Sequence, residues 1–286
     1  MDKQGIRARA AVVAAAVAVA GTVWGVATLV DPGSTAPPGK ASRQQDADSG
    51  RDGQAAGSGS GSQQRIPEDI AHASEGGAGA VNITIDDGPD PRWTPKVLDV
   101  LARHGVKATF CMIGPQAKAH PDLVKKVVAA GHRLCDHTMN HDTAMDKKPV
   151  DYQERQILDA KKLIEEAAGG GAKVDYYRAP GGAFTPDSRR IAAANGMRPL
   201  GWNIDTKDFD KPGAASIVDA VKRELGNGPT VLFHDGGGNR AQTVEALDQV
   251  LAWLKAQGRP TGFPVRTAPD TPVASGTPTA PAPGSS

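Results

Sequence analysis

Residues 80–89 read Ala-Val-Asn-Ile-Thr-Ile-Asp-Asp-Gly-Pro, and this stretch indicates the fold more clearly than any other. Apolar residues alternate with Asn82 and Thr84, and the run ends in two carboxylates followed by a Gly-Pro turn. Short apolar strands that end in polar residues are typical of parallel α/β proteins, whose functional groups collect at the carboxyl ends of the strands. The sequence therefore predicts a buried strand with chemistry at its end.

Outward from this strand, β-branched runs alternate with helical patterns as far as residue 263. Further strands are predicted at residues 106–113, 132–136, 174–178, 198–205 and 230–234. This alternation predicts an α/β fold, a distorted (β/α) barrel of about seven parallel strands joined by right-handed crossovers. An open doubly wound sheet fits less well, because no Gly-rich phosphate turn is present.

The flanks of this domain differ from it in composition. The chain holds 34 Gly and 22 Pro, and much of this excess lies in residues 31–79 and 264–286. Segments with so few large apolar side chains bury too little surface to offset their ordering entropy. We expect a disordered linker over 31–79, one folded domain over 80–263 and a disordered tail over 264–286.

The first thirty residues predict export. Residues 11–30 carry no charge and follow a basic head that contains Lys3, Arg7 and Arg9. Such a segment is typical of a signal peptide or a single-span anchor, and the sequence leaves cleavage and anchoring open. We expect a protein that is secreted or tethered to the outer face of the cytoplasmic membrane.

The formal net charge of the chain is +1, so it lacks the surplus of basic residues that is typical of nucleic-acid-binding proteins.

Ionisable residues follow the predicted strands. Asp86 and Asp87 are adjacent and point in different directions, so one can bind a cation while the other acts as a base. His137 and His141 lie four residues apart and, with Asp87, form a three-ligand set that leaves a coordination position open. Each of these motifs alone is common in loops that have no function.

The remaining strand ends supply a cation and an imidazole. Arg178 precedes Ala-Pro-Gly-Gly and can hold a carboxylate beside backbone N–H groups. His234 ends an apolar strand, and a carboxylate near it would orient the ring and raise its basicity.

Together, TIDDGP, HTMNH, RAPGG, DTKDF and VLFHD resemble, in order and approximate spacing, the five motifs of the polysaccharide deacetylases. These are also called NodB-homology or carbohydrate esterase family 4 domains. The resemblance implies that Asp87, His137 and His141 bind one divalent metal ion, zinc by preference, with cobalt or nickel as alternatives. It implies that Asp86 is the base acting on metal-activated water. It also implies that Arg178 positions the base, that His234 is the general acid and that Asp208 orients this acid. The backbone N–H of Gly181 would bind the oxyanion, and Leu232 and Phe209 would line the pocket for the acetyl group.

Cys111 and Cys135 are the only cysteines, and they fall in the second and third predicted strands, which the implied fold places side by side. Because exported proteins meet oxidising conditions, we expect a disulfide, with two buried thiols as the alternative.

The implied function is removal of N-acetyl groups from N-acetylglucosamine polymers, either chitin oligosaccharide or peptidoglycan, by a monomer. The alternatives are an O-acetyl esterase acting on acetylated xylan and a non-catalytic carbohydrate-binding module. The expected partner is an acetylated polysaccharide, with no nucleic acid, and with membrane contact only through an N-terminal anchor. In motif three, Gly181 stands where the family commonly has an aromatic residue, so the preferred substrate is less determined than the reaction.

Overall fold

The computed structural model describes residues 65–270. The predicted export segment, most of the predicted linker and the end of the tail therefore lie outside the described residues. Within residues 65–270, no helix combines the length and hydrophobicity needed to cross a bilayer.

Strands and helices alternate along most of the described chain. The strands are β1 (Val81–Asp86), β2 (Thr109–Met112), β3 (Arg133–Asp136), β4 (Val174–Tyr177), β5 (Arg198–Pro199), β6 (Ile204–Asp205), β7 (Thr230–His234) and β8 (Thr261–Gly262). The α-helices are α1 (Thr94–His104), α2 (Gly114–Ala119), α3 (Pro121–Ala129), α4 (Val150–Ala168), α5 (Pro186–Ala194), α6 (Ala214–Glu224) and α7 (Ala241–Ala256). Short α2 was not among the predicted helices.

The strands form one parallel sheet in the order β5-β4-β3-β2-β1-β7-β6, and β8 pairs with the start of β1. Every residue of central strand β1 is buried, as expected for a parallel sheet whose two faces are both covered. The predicted α/β class with about seven parallel strands is confirmed, and the sheet curves as a half-barrel. Among the described residues, no ladder joins β5 to β6.

The predicted single strand over 198–205 is wrong, because the structure divides it into β5 and β6 at opposite edges of the sheet. Residues 200–203 cross between these edges. Ala71 forms a parallel bridge with Leu200, and its carbonyl accepts a hydrogen bond from Gly201. The ends of the crossing segment bond to the sheet, because Leu200 N–H donates to the Tyr177 carbonyl and Asn203 N–H donates to the Thr230 carbonyl, and the N-terminal segment pairs with the residues between them.

The structure also corrects the predicted limits of linker and tail, because residues 65–79 and 264–270 contact the domain. Ala71 and Val265 are buried, and Ser74 bridges to Pro264. The guanidinium of buried Arg198 binds acceptors in both segments. These segments are held by hydrogen bonds and by one buried cation. Such contacts cannot be read from the amino-acid composition of the segments.

Candidate active site

Because every strand pairing is parallel, the carboxyl ends of the strands meet at one edge of the half-barrel. Asp86 ends β1, His234 ends β7, and His137 directly follows β3. Arg178 directly follows β4. The fold thus brings together Asp86 and His234, which are separated by about half the length of the chain.

The predicted cation ligands form a cluster. One ligand atom from each of Asp87, His137 and His141 lies within 4.8 Å of the others. The Nε2 atoms of His137 and His141 lie 3.6 and 3.3 Å from Asp87 Oδ1, respectively. Both Asp87 and His141 have positive φ angles, a strained conformation that is uncommon for residues other than glycine and clusters at functional sites.

The chemistry of these three residues suits a divalent cation. Asp87 Oδ1 is buried and has no hydrogen-bond partner. His137 Nδ1 lies 2.7 Å from the Arg178 carbonyl, and it must donate because a carbonyl only accepts, so Nε2 is left with its lone pair. Burial lowers the pKa of His137 to about 3, which keeps the ring in the neutral form that binds metals. An orphaned carboxylate oxygen and two imidazole nitrogens are a donor set that zinc accepts.

Asp86 faces the same cluster but is held by a buried cation. Arg178 Nη1 donates to Asp86 Oδ1 at 2.6 Å and lies 2.9 Å from Thr84 Oγ1. The same guanidinium donates through Nε and Nη2 to the carbonyls of Leu200 and Gly201, at 3.2 and 2.9 Å. Burial raises the pKa of Asp86 above its ordinary value, although the charge of Arg178 opposes the shift.

An imidazole–carboxylate pair lies next to Asp86, because His234 is paired with Asp86 between β7 and β1. Asp208 Oδ1 accepts from His234 Nδ1 at 2.6 Å, and its other oxygen accepts from the His234 backbone N–H and from Thr243 Oγ1. Burial alone would lower the pKa of His234, but the hydrogen bond to Asp208 and its charge outweigh burial and raise it. His234 Nε2 is the ring nitrogen left to face a substrate.

The predicted pocket residues lie in different settings. Gly181 has φ 59° and ψ 14°, a left-handed conformation that favours glycine, and an added Cβ would lie 3.3 Å from the Thr143 side chain. Phe209 is 39% exposed as a residue, and its ring meets His234 edge-on, with 5.3 Å between centroids. Leu232 is buried two residues before His234, on the same face of β7.

Two buried carboxylates next to site histidines received no role from the sequence. Asp235 follows His234, but its Oδ2 accepts from Thr94 Oγ1 at 2.6 Å, so Asp208 and not this neighbour orients the imidazole. Asp136 precedes His137 and accepts from the Thr138 N–H at 2.7 Å. Their only sequence signal is an acidic residue at the end of an apolar strand.

A disulfide links Cys111 and Cys135 next to the site. These residues are directly paired between β2 and β3, and Cys111 is also paired with Asp86 of β1. Both sulfur atoms lie in a buried cluster with Tyr176 and Leu200.

A parallel α/β half-barrel with a histidine–aspartate cluster, a buried base candidate and an oriented imidazole has the fold and site of a hydrolase. The sequence model of the protein family described as polysaccharide deacetylase matches residues 73–200 of this chain. The chain is 39% identical over 205 residues to a chitooligosaccharide deacetylase of Sinorhizobium fredii, covering 68% of this chain and 92% of that protein. It is 41% identical over 180 residues to a peptidoglycan-N-acetylglucosamine deacetylase of Bacillus cereus, covering 62% and 83%.

Solved structures agree with these relatives. A peptidoglycan N-acetylglucosamine deacetylase in complex with 4-naphthalen-1-yl-N-oxidanyl-benzamide aligns with TM-score 0.62 and 29% identity, covering 68% of this chain and 89% of that one. A family 4 pseudoenzyme from Bacillus anthracis aligns with TM-score 0.60 and 29% identity, covering 65% and 64%. The chain belongs to the polysaccharide deacetylase family and is a deacetylase-class hydrolase. Because a pseudoenzyme shares the fold, the chemistry depends on the site residues themselves.

Proposed function

We propose that this protein removes N-acetyl groups from N-acetylglucosamine-containing glycan, either chitin oligosaccharide or peptidoglycan. The observation that carries the proposal is the placement of a buried carboxylate, Asp86, and an oriented imidazole, His234, around the Asp87–His137–His141 cluster. Relatives whose names specify both substrates support the substrate class.

Asp87, His137 and His141 would hold one divalent ion, and zinc suits this donor set. When bound, the ion supplies Lewis acidity that polarises a carbonyl and lowers the pKa of water.

The chain's own residues then divide the proton transfers. Asp86 accepts the proton of the attacking water, and Arg178 fixes the orientation of that carboxylate. The Gly181 N–H donates to the carbonyl oxygen as negative charge develops on it. His234, oriented by Asp208, donates a proton to the departing nitrogen, which leaves as the amine of glucosamine. The proposed products are acetate and a deacetylated sugar.

The substrate would rest against two apolar groups. Exposed Phe209 stands beside His234, and Leu232 lies on the same face of β7, so we assign both to the wall around the acetyl methyl group. At Gly181 the positive φ angle and the nearby Thr143 side chain leave little room for a side chain, so we assign only the backbone N–H of this residue to the substrate.

We also propose an exported location. A buried disulfide suits an oxidising compartment, and the uncharged segment over residues 11–30 suits an export signal or an anchor.

The test measures acetate release by the full-length chain, loaded with zinc, from a chitin tetrasaccharide, from peptidoglycan and from acetylxylan. We expect release from one or both of the first two, and loss of release after chelation, restored by added zinc. Asp86→Asn keeps the size of the side chain and should lower kcat by about 10²–10⁴-fold. Release from acetylxylan alone would favour the esterase alternative. An active Asp86→Asn variant would contradict the assignment of the base.

A further inference from the structure

Asp136 is the last residue of β3 and lies directly before the cation-ligand candidate His137. It is fully buried and is paired with Met112 of β2 and Tyr177 of β4. Its Oδ1 accepts the backbone N–H of Thr138 at 2.7 Å. The side chain therefore reaches past His137 and holds the first peptide of the turn that leads to His141.

That turn contains a strained residue. Thr138 has φ 69°, a left-handed conformation that is unusual for a β-branched side chain. Such strain persists only where the surrounding structure holds it. The Thr138 carbonyl accepts from the Gly114 N–H at 3.0 Å, and its hydroxyl accepts from the His141 N–H at 3.2 Å. Among the described residues, Asp136 is the side chain that holds the Thr138 amide.

The two histidines depend differently on this turn. The ring of His137 is fixed by the Arg178 carbonyl and its backbone N–H by the Met112 carbonyl. The side chain of His141 is 36% exposed, and its backbone has φ 52°. Because His141 has fewer contacts of its own, its distance from His137 follows the conformation of the turn between them.

We propose that Asp136 is a positioning residue for the cation site, which sets the separation of the His137 and His141 imidazoles by holding Thr138 in its left-handed conformation. The inference rests on the proposed function, which assigns these histidines to a cation. A further observation separates this role from packing. Asp136 Oδ2 is buried without a hydrogen-bond partner, and burying such an atom costs free energy. An apolar residue of the same size would fill the space without this desolvation cost, so packing alone does not account for an aspartate here.

The experiment compares two substitutions of similar size in the full-length chain. Asp136→Leu removes the acceptor, whereas Asp136→Asn keeps an oxygen that can accept the same N–H. Zinc affinity is measured by competition with a chromophoric chelator, and the visible spectrum of the Co²⁺-loaded chain reports ligand geometry. Tyr177→Phe is the matched control, because it removes a polar atom from the residue paired with Asp136 and leaves the Thr138 bond in place.

We expect Asp136→Leu to weaken zinc binding about 10–100-fold and to alter the Co²⁺ spectrum, the usual cost of losing support for a metal ligand. Asp136→Asn should lose about threefold or less, since a neutral hydrogen bond replaces the original one. Tyr177→Phe should bind zinc like the unmodified chain.

Three results would overturn the proposal. The first is an Asp136→Leu chain with unchanged affinity and spectrum. The second is an Asp136→Asn chain as weak as Asp136→Leu, which would make charge and not the hydrogen bond decisive. The third concerns folding, which circular dichroism monitors in Asp136→Leu and in an added variant, Asp136→Ala: unfolding of both would make Asp136 a core residue. An unmodified chain that bound no divalent ion would instead overturn the proposed function, and this outcome is separate from the behaviour of the variants.

Discussion

Two arginines, one serving each end of the half-barrel, have the same burial and different surroundings. Arg178 and Arg198 are both fully buried. Arg178 binds the carboxylate of Asp86 and backbone carbonyls of the crossing segment 200–203. Arg198 binds the carboxylate and carbonyl of Asp69 and the carbonyls of residues 266 and 268.

The partners of these arginines differ in their access to water. The Asp86 side chain is 3% exposed and the Asp69 side chain is 53% exposed. A charge pair with both members buried alters the protonation of its carboxylate, whereas a carboxylate in water is already stabilised by solvent. We therefore expect the Arg178 pair to control reactivity and the Arg198 pair to hold the terminal segments in place.

Arg178→Met should have the largest effect. It leaves the Asp86 carboxylate buried without its cation, and breaking a buried pair in this way costs about 3–5 kcal/mol. Urea unfolding should show this loss, and acetate release should fall with it. An Arg178→Met variant that kept both stability and activity would contradict the expectation that the Arg178 pair controls reactivity while the Arg198 pair only holds the terminal segments.

Asp208→Asn should change the pH dependence at the site end. His234 donates its proton, and the hydrogen bond to Asp208 and its charge raise the pKa of His234 although burial opposes them. Without that charge the pKa falls, so the alkaline limb of kcat/KM should move to lower pH, and activity above this limb should drop about 100-fold. An alkaline limb that stayed in place would show that another group is the acid. Thr243→Val, which removes a different hydrogen bond to Asp208, is the control for packing and should move the limb less.

Arg198→Met should affect stability and leave the chemistry unchanged. The carbonyls it leaves without a donor predict a loss of about 1–3 kcal/mol in the free energy of unfolding. The kcat of the folded fraction should match that of the unmodified chain. A fall in kcat at full folding would mean that the two ends are coupled.

Asp69→Ala should have the smallest effect. Its carboxylate is half-exposed, so the pair with Arg198 contributes no more than about 1 kcal/mol, and the Asp69 carbonyl still accepts from Arg198. Thermal unfolding of Asp69→Ala beside Arg198→Met separates the carboxylate from the backbone acceptors. Equal losses of thermal stability in the two variants would show that the ion pair between Asp69 and Arg198, and not the backbone acceptors, provides the stabilisation.

The sequence predicted the site end better than the opposite end, for a physical reason. Asp86, His137, Arg178 and His234 each follow a short apolar run, and parallel strands bring such ends together whatever the intervening chain contains. Residue chemistry suggested a base, a cation ligand, a positioning cation and an oriented imidazole, and the resemblance assigned these roles residue by residue and added Asp208. The structure adds their distances, and the roles remain proposals.

The errors fall where distant segments meet. Nothing local in residues 198–205 shows that the chain leaves one edge of the sheet and joins the other, because Ala71 pairs with Leu200 across more than a hundred residues. The segment 65–79 is poor in apolar residues, and its order comes from hydrogen bonds to the domain. Asp136 was visible as a charge, but its bond to Thr138 depends on a φ angle that the sequence does not display.

The contacts of Arg198 define where the domain can be cut for recombinant work. A fragment that begins at residue 80 and stops at 263 would discard all four acceptors of this guanidinium and uncover Leu200 and Gly201, whose carbonyls orient Arg178. A fragment over 65–270 keeps these acceptors. Low activity in the shorter fragment would therefore report a damaged boundary, and it would say nothing about the catalytic residues.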